Sequence, residues 1–370
     1  MTKKLITALL SLSLALPLAV YSASAAPMAP SVAIIDTGID DTLPSFQGKI
    51  VTQVCILEFT LCPNGTSFEE SPRAAVIPSN FINSNGFEHG TQMASTLLLA
   101  NPNLNIVFIR IVGNNPTGGR INPTASSVDK ALTWVKNNSS KYNIQAVTMA
   151  QGHHNLGPAG TDYCPKTPVT EQTIKDLIAI NVATFFAVGN GSDYKRIDWP
   201  SCIESSVAVG SVDRGNLIAS TSNNDVSLLD FYATGYVTVP SAGNIVKNIS
   251  GSSAATQTAA GLWLALRSSK PSYTYSQTLD SFKNTALSAP GRAGTFTKLM
   301  NLSGALSYTP AQAGPSAAEI AAAEAAAKAA LKAQVDSAIA AAQAEHDAAV
   351  KAAADKLAAT KATWLAKLNG

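Results

Sequence analysis

Between residues 30 and 309 the chain alternates short apolar runs with loops rich in Gly, Asn, Ser and Pro. Continuous apolar runs at Ser31–Ile35, Asn105–Val112, Ile144–Ala150, Val182–Val188 and Ser206–Val212 predict strands buried on both faces. Between them, helical patterns cover His89–Ala100, Ser126–Asn137 and Thr170–Asn181, and a further helical run extends from Gly251 to Leu266. Strands alternating with helices predict an α/β fold with a parallel sheet covered on both faces. In such sheets chemistry gathers at the carboxyl ends of strands. Asp36 and Asn190 both follow apolar strands directly.

The pattern changes after residue 315. Residues 316–369 contain no Gly or Pro, and 25 of the 54 residues from Ala317 to Gly370 are Ala. Thr309-Pro310-Ala311-Gln312-Ala313-Gly314-Pro315 reads as the linker. The tail is strongly helix-prone. Its larger apolar residues, Ile320, Leu331, Val335, Ile339, Val350, Leu357, Trp364 and Leu368, mix seven- and eleven-residue steps on one stripe. Two readings stay open: a coiled coil of Ala helices giving a homo-oligomer or spacer, and a lone solvated helix.

The N-terminus reads as a leader. Lys3-Lys4 forms a positive start, Leu5–Val20 is apolar with Pro17 inside it, and Ala23-Ser24-Ala25 fits a cleavage site. Residues 1–25 are therefore expected to be a signal peptide, with the mature chain starting near Ala26 and exported to a secreted or periplasmic location. Only 14% of residues are charged, against about 25% usually. Setting Lys3 and Lys4 aside leaves 24 basic against 24 acidic residues. That balance argues against a nucleic-acid binder or a polybasic membrane binder. No later stretch reaches the ~18 uninterrupted apolar residues of a spanning helix.

Export also changes how the cysteines read. Cys55, Cys62, Cys164 and Cys202 contain no CxxC spacing, so zinc or thioredoxin-like chemistry has little support. Two disulfides are expected in an oxidising compartment, and three pairings exist. The favoured one is Cys55–Cys62, a short staple in a loop bearing Pro and Gly, with Cys164–Cys202.

Three segments carry candidate chemistry. Asp36 opens Asp-Thr-Gly-Ile, where a turn-capping Asp is common. His89, in Glu88-His89-Gly90-Thr91-Gln92-Met93-Ala94, starts a predicted helix. Gly251-Ser252-Ser253-Ala254-Ala255 opens another, where small residues admit a substrate backbone and the helix N-terminus favours negative charge on a bound oxygen. Each segment alone also reads as a cap or packing device. Together they meet the needs of a serine nucleophile, which requires a base, and of the base, which requires an orienting carboxylate. Chain order discriminates among the known solutions. An α/β-hydrolase needs Ser before acid before His, yet only His346 follows Ser253, and Ala255 replaces the second Gly of Gly-x-Ser-x-Gly. A chymotrypsin-type order lacks its Gly-Asp-Ser-Gly setting. Asp36, His89, Ser253 is the third order.

With these blocks in place, the region resembles a subtilisin-like serine protease (subtilase, peptidase S8 type). Val32-Ala33-Ile34-Ile35-Asp36-Thr37-Gly38-Ile39 resembles the family's Asp block, and His89-Gly90-Thr91 with Ala94 its His block. Ala187-Val188-Gly189-Asn190 resembles the block of the oxyanion Asn. Gly251-Ser252-Ser253-Ala254-Ala255, with Ala260-Gly261, resembles the Gly-Thr-Ser-Met-Ala block. Thr148-Met149-Ala150-Gln151-Gly152 is similar to the substrate-binding strand, and Ser222-Asn223 with Ala233-Thr234-Gly235 to a further family segment. Trp199-Pro200-Ser201 resembles a segment with a cis proline, so a cis bond is expected there.

The resemblance implies a subtilisin-like three-layer α/β fold with a mostly parallel central sheet, to which the Ala-rich C-terminal long helix is added. It implies a domain over 26–309, followed by a linker over 310–315 and the tail over 316–370. It implies a serine endopeptidase in which Ser253 is the nucleophile, His89 the general base and Asp36 its orienting carboxylate, with Asn190 the oxyanion donor. A polypeptide substrate would lie along Ala150, Gln151 and Gly152, beside Gly189. The alternative is a catalytically inactive peptide-binding relative. Ser252, Ala254 and Gln257 depart from the family's Thr, Met and Pro, and Gln257 in place of a φ-presetting Pro is expected to cost little. Asp36 follows the expected mature start by about ten residues, leaving no room for the usual folding prodomain. No cofactor or metal is predicted: adjacent His153-His154 rarely serve one metal. Calcium stays open as a structural ion, with Asp40-Asp41 as contributors.

Overall fold

The computed structural model describes residues 28–84, 86–153, 164–165, 167–292, 294–311 and 317–368. The expected signal peptide, the mature start at Ala26, His154 and residues 312–315 of the linker lie outside the described residues. In chain order the strands are β1 (Ser31–Asp36), β2 (Ile50–Ile56), β3 (Phe68–Glu70), β4 (Asn105–Arg110), β5 (Gly113–Asn114), β6 (Arg120–Ile121), β7 (Ile144–Met149), β8 (Ala183–Ala187), β9 (Val207–Val212), β10 (Phe231–Thr234), β11 (Val237–Ser241), β12 (Ile245–Ile249), β13 (Leu287–Gly291) and β14 (Gly294–Leu299). The helices are α1 (His89–Ala100), α2 (Ala125–Asn138), α3 (Pro168–Ala179), α4 (Ser252–Ser269), α5 (Tyr275–Thr285), α6 (Leu302–Ser307) and α7 (Ala317–Leu368).

Among the described residues, ten strands form one sheet in the order β13-β14-β10-β9-β8-β7-β1-β4-β2-β3. Its interior pairings are parallel, and only the edge strands β13 and β3 run antiparallel to their neighbours. Residues of one strand alternate between two apolar layers. Ala33 and Ile35 of β1 join Val128 and Leu132 of α2 and Ile174 and Leu177 of α3 on one face. Val32 and Ile34 join Met93 and Leu97 of α1 and Ala255, Ala259 and Trp263 of α4 on the other. This is the expected three-layer arrangement, and β1 lies near its centre with every residue buried.

Local chemistry explains where the elements begin and end. The Thr124 side chain accepts from Ser127 N and caps α2. Helix α3 starts two residues before its apolar pattern because Pro168 occupies the first turn, where a missing N–H costs nothing. Its predicted end at Asn181 comes two residues late: Asn181 is left-handed at φ 62° and turns the chain into β8. Both favoured disulfides are formed, Cys55–Cys62 and Cys164–Cys202. The Trp199–Pro200 peptide is cis. Asp40 and Asp41 are engaged within the protein: Asp40 accepts from Thr42 and Gly243 N, and Asp41 from Arg73 and Gln53.

Helix α7 is continuous over 52 residues, about 80 Å at 1.5 Å per residue. Among its described side chains, Leu331, Ile339, Leu357 and Trp364 of the apolar stripe are 61–71% exposed. Among the described residues no helix is long and apolar enough to cross a membrane.

One expectation needs correction. Gln257 was expected to replace Pro at little cost, but its side chain is fully buried in α4, and neither amide atom has a hydrogen-bond partner among the described residues. Backbone φ is not the relevant quantity there; desolvation of the amide is. Gln257→Met, similar in volume and apolar, should raise unfolding free energy by about 1–2 kcal/mol in urea titrations.

Glu58 ties the end of β2 to the start of α2. Burial pushes its carboxyl up, but hydrogen bonds from Ser126, Thr124 and Lys130 outweigh this and lower it to about 2. A carboxyl lowered on folding stabilises the protein above its unfolded value near 4.5 and loses that contribution as pH falls toward about 2. Glu58→Gln should therefore be less stable than wild type near neutral pH. The gap between the two urea midpoints should close between about pH 4.5 and about pH 2.

Candidate active site

The carboxyl ends of β1, β7 and β8 and the first turns of α1 and α4 converge on one cleft. Asp36 is the last residue of β1 and has no solvent exposure. Its Oδ1 accepts from Thr37 N at 2.7 Å and lies 2.8 Å from His89 Nδ1. A carboxylate at this position can only accept, so His89 carries its proton on Nδ1 and presents Nε2 as the acceptor. Burial pushes the Asp36 carboxyl up. The positive charge of His89 in its doubly protonated form and its hydrogen bond, the Thr37 N–H and the Arg120 charge outweigh burial and hold it below its ordinary value.

His89 opens α1, and its position is set by close backbone contact. Gly90 N donates to Thr37 Oγ1 at 3.0 Å, and that hydroxyl donates to Phe87 O. A Cβ on Gly90 would lie 2.3 Å from Gly38 O and 2.6 Å from Phe108 Cζ. Only glycine lets the first turn of α1 sit this close to the chain leaving β1.

Ser253 is the second residue of α4 and half-buried. Its Oγ lies 3.5 Å from Ala150 O, at the limit of a hydrogen bond. Among the described residues Ser253 Oγ and His89 Nε2 share no hydrogen bond, although both side chains line the same cavity of about 240 Å³. Ser253 N–H belongs to the first turn of α4, where a helix offers it no internal acceptor.

Asn190 is exposed at the mouth of this cavity. Its Oδ1 accepts from Ser252 N at 2.9 Å and from Ser252 Oγ at 3.2 Å, so its NH2 is the end available to donate to a ligand. Ser252 is itself fully buried, and its Oγ accepts from Gly189 N. This residue entered the sequence analysis only as a departure from Thr. It is the clamp between the Gly189-Asn190 turn and α4, and it keeps the hydroxyl that Thr would supply.

The expected substrate strand borders the same cavity. The backbone groups of Gln151 and Gly152 make no hydrogen bonds among the described residues. The Gln151 side chain points into the Asp36–His89 pair rather than toward a ligand. Its Oε1 accepts from Arg120 Nη2 at 2.5 Å, which orients the amide so that Nε2 donates to Asp36 Oδ1 at 3.1 Å. Two charged residues at the site were not singled out from sequence. Arg120 follows the Gly118-Gly119 turn on β6, and Asp198 immediately precedes the quoted Trp199-Pro200. Asn223 secures this end. Its Oδ1 accepts from Gly191 N and Asp193 N, and its Nδ2 donates to Asp198 Oδ1 at 3.0 Å.

Comparison with known proteins agrees with this architecture. The model of the subtilase family (peptidase S8) matches residues 28–363, and the chain belongs to that family. It is 28% identical to alkaline elastase YaB of Bacillus sp. (strain YaB) over 225 residues, 58% of this chain and 53% of that protein. It is 26% identical to subtilisin Savinase of Lederbergia lenta over 226 residues, 58% of this chain and 76% of that protein. The match thus spans about half the length of the elastase. Among solved structures, a protease from Pseudoalteromonas arctica PAMC 21717 superposes with a TM-score of 0.61 at 19% identity, covering 76% of this chain and 90% of that one. A cold-adapted subtilisin-like serine proteinase gives 0.55 at 22% identity, covering 74% and 88%. These two likenesses establish the fold.

Proposed function

We propose that the protein is an exported serine endopeptidase that hydrolyses peptide bonds through Asp36, His89 and Ser253. The observation that carries this reading is the 2.8 Å contact between the buried Asp36 carboxylate and His89 Nδ1, in a cavity shared with Ser253. Family membership supports the same reaction class. An extended substrate pairs with the open backbone of Gln151-Gly152, which supplies grip without reading side chains. The Ser253 side chain turns from Ala150 O toward His89 Nε2, which takes its proton as Oγ attacks the substrate carbonyl. The resulting oxyanion receives hydrogen bonds from Asn190 Nδ2 and Ser253 N. Collapse of the adduct breaks the C–N bond, and the His89 proton leaves on the amine. Water, deprotonated by His89, then releases the acyl group and restores Ser253. Asp36 stays ionised throughout and stabilises the imidazolium.

The inactive peptide-binding reading draws on the absence of a hydrogen bond from Ser253 Oγ to His89. A fluorophosphonate probe separates the two readings. It should label the wild type and fail to label Ser253→Ala, with His89→Ala labelled far more slowly. A folded wild type that resists the probe contradicts the enzyme reading. Asn190→Ala should lower kcat by about 10²–10³ with KM little changed, because the bond it removes forms only in the transition state. A proportionate rise in KM would instead place Asn190 in ground-state binding.

A further inference from the structure

We infer that Asn190-Gly191 is a deamidation site held shut by Asn223, so that opening of this turn converts the enzyme irreversibly into a folded but inactive form. The chemistry at Asn190 stands by itself; its consequence for activity rests on the proposed function.

An asparagine followed by glycine is the pair in which the next backbone nitrogen attacks the side-chain amide most readily. Glycine has no Cβ in the way and reaches the required backbone angles freely. The Gly191 nitrogen gives its proton to water or hydroxide and bonds to Asn190 Cγ. The C–NH2 bond breaks and ammonia leaves, giving a five-membered imide. Water then opens the ring at either carbonyl, leaving a carboxylate at position 190 as aspartate or isoaspartate. The net change is one water taken up and one ammonia released.

The fold treats the two reacting groups oppositely. Asn190 Oδ1 accepts from Ser252 N and Ser252 Oγ. Donors on a carbonyl oxygen draw charge from its carbon, so these bonds do not shield Asn190 from attack. Protection falls on the nucleophile. Gly191 N donates to Asn223 Oδ1 at 2.8 Å, and the same oxygen takes Asp193 N at 3.0 Å. Asn223 has no solvent exposure, and its own N donates to Gly189 O at 3.0 Å. Bonds from Ser192 N to Thr221 O and from Asn224 N to Asp193 O complete the stitching of the turn to this segment. The Gly191 proton therefore reaches solvent only when the turn opens.

The product is inactive for a local reason. One carboxylate oxygen keeps both Ser252 bonds, so the fold is retained. The NH2 end that donates to a ligand is gone, and negative charge stands where the oxyanion forms.

Full-length Ser253→Ala, chosen to exclude self-digestion, is aged at mildly alkaline pH, either folded or in urea. Peptides bearing Asn-Gly pairs are followed by mass spectrometry and by isoaspartyl methyltransferase labelling. In urea Asn190 should react as fast as Asn64 and Asn85, which also precede Gly. In the folded chain it should react at least about 10-fold more slowly than in urea, and adding Asn223→Ala should restore about 10-fold of that rate. Equal rates folded and in urea overturn the inference. A folded Asn223→Ala chain as resistant as its parent overturns the role of Asn223. If that variant does not fold, hydrogen exchange at Gly191 in folded Ser253→Ala decides: protection is expected, and exchange as fast as in urea overturns the inference. Asn190→Asp, one of the two products, should fold and react with a fluorophosphonate roughly 100-fold or more slowly than the wild type. Labelling at the wild-type rate overturns the inactivation. A folded wild type that the probe does not label overturns the proposed function and leaves the deamidation results standing.

Discussion

A carboxylate with no solvent exposure at the end of a central strand has to be satisfied by the protein itself. Asp36 meets part of that demand through Oδ1, which faces donors from three separate segments: Thr37 N from its own turn, His89 from the start of α1, and Gln151 from the exit of β7, while Oδ2 has no hydrogen-bond partner among the described residues. Each bond lowers the cost of the buried charge, and together they fix α1 and the β7 exit relative to β1. The Thr37 hydroxyl adds a second tie by bonding Phe87 O and Gly90 N. Folding and preparation of the His89 imidazole are thus one requirement. The same bonds that make Asp36 tolerable in the core also choose the tautomer that leaves Nε2 able to take a proton.

The other half of the site is organised by the N-terminus of α4. Ser252 bonds Asn190 through both its N–H and its hydroxyl and receives Gly189 N, so the β8 exit and α4 are joined before any substrate arrives. Gly251, at φ +134°, lets the chain pass within van der Waals reach of the Asn190 amide. The two halves meet in the cavity between His89 and Ser253. Catalytic hydrogen bonds are often long or poorly aligned in a site without substrate, so the missing bond between Ser253 and His89 does not by itself exclude their pairing.

Much of this was legible because the central strands are buried on both faces. Ser31–Ile35, Ile144–Ala150 and Val182–Val188 are continuous apolar runs, and their carboxyl ends or adjoining turns line the cleft. The strands next to the sheet edges escaped the pattern for a physical reason. β2 is buried only over its second half, and β14 alternates as Gly-Thr-Phe-Thr-Lys-Leu with one face toward water. Asp36, His89, Asn190 and Ser253 stood out because each sits in a short block with ordered neighbours. Arg120 and Asp198 did not, since each looks like a loop charge until the tertiary fold brings it to the cleft. Gln257 was misjudged because the sequence shows its place in the helix but not its burial.

The central claim is that Asp36 holds the His89 proton on Nδ1. Nitrogen-15 NMR of histidine-labelled protein at neutral pH measures this directly. The account predicts for His89 a protonated Nδ1 with a strongly downfield proton, an unprotonated Nε2, and loss of that downfield proton in Asp36→Asn. A His89 ring carrying its proton on Nε2, or a downfield signal that survives in Asp36→Asn, would contradict it.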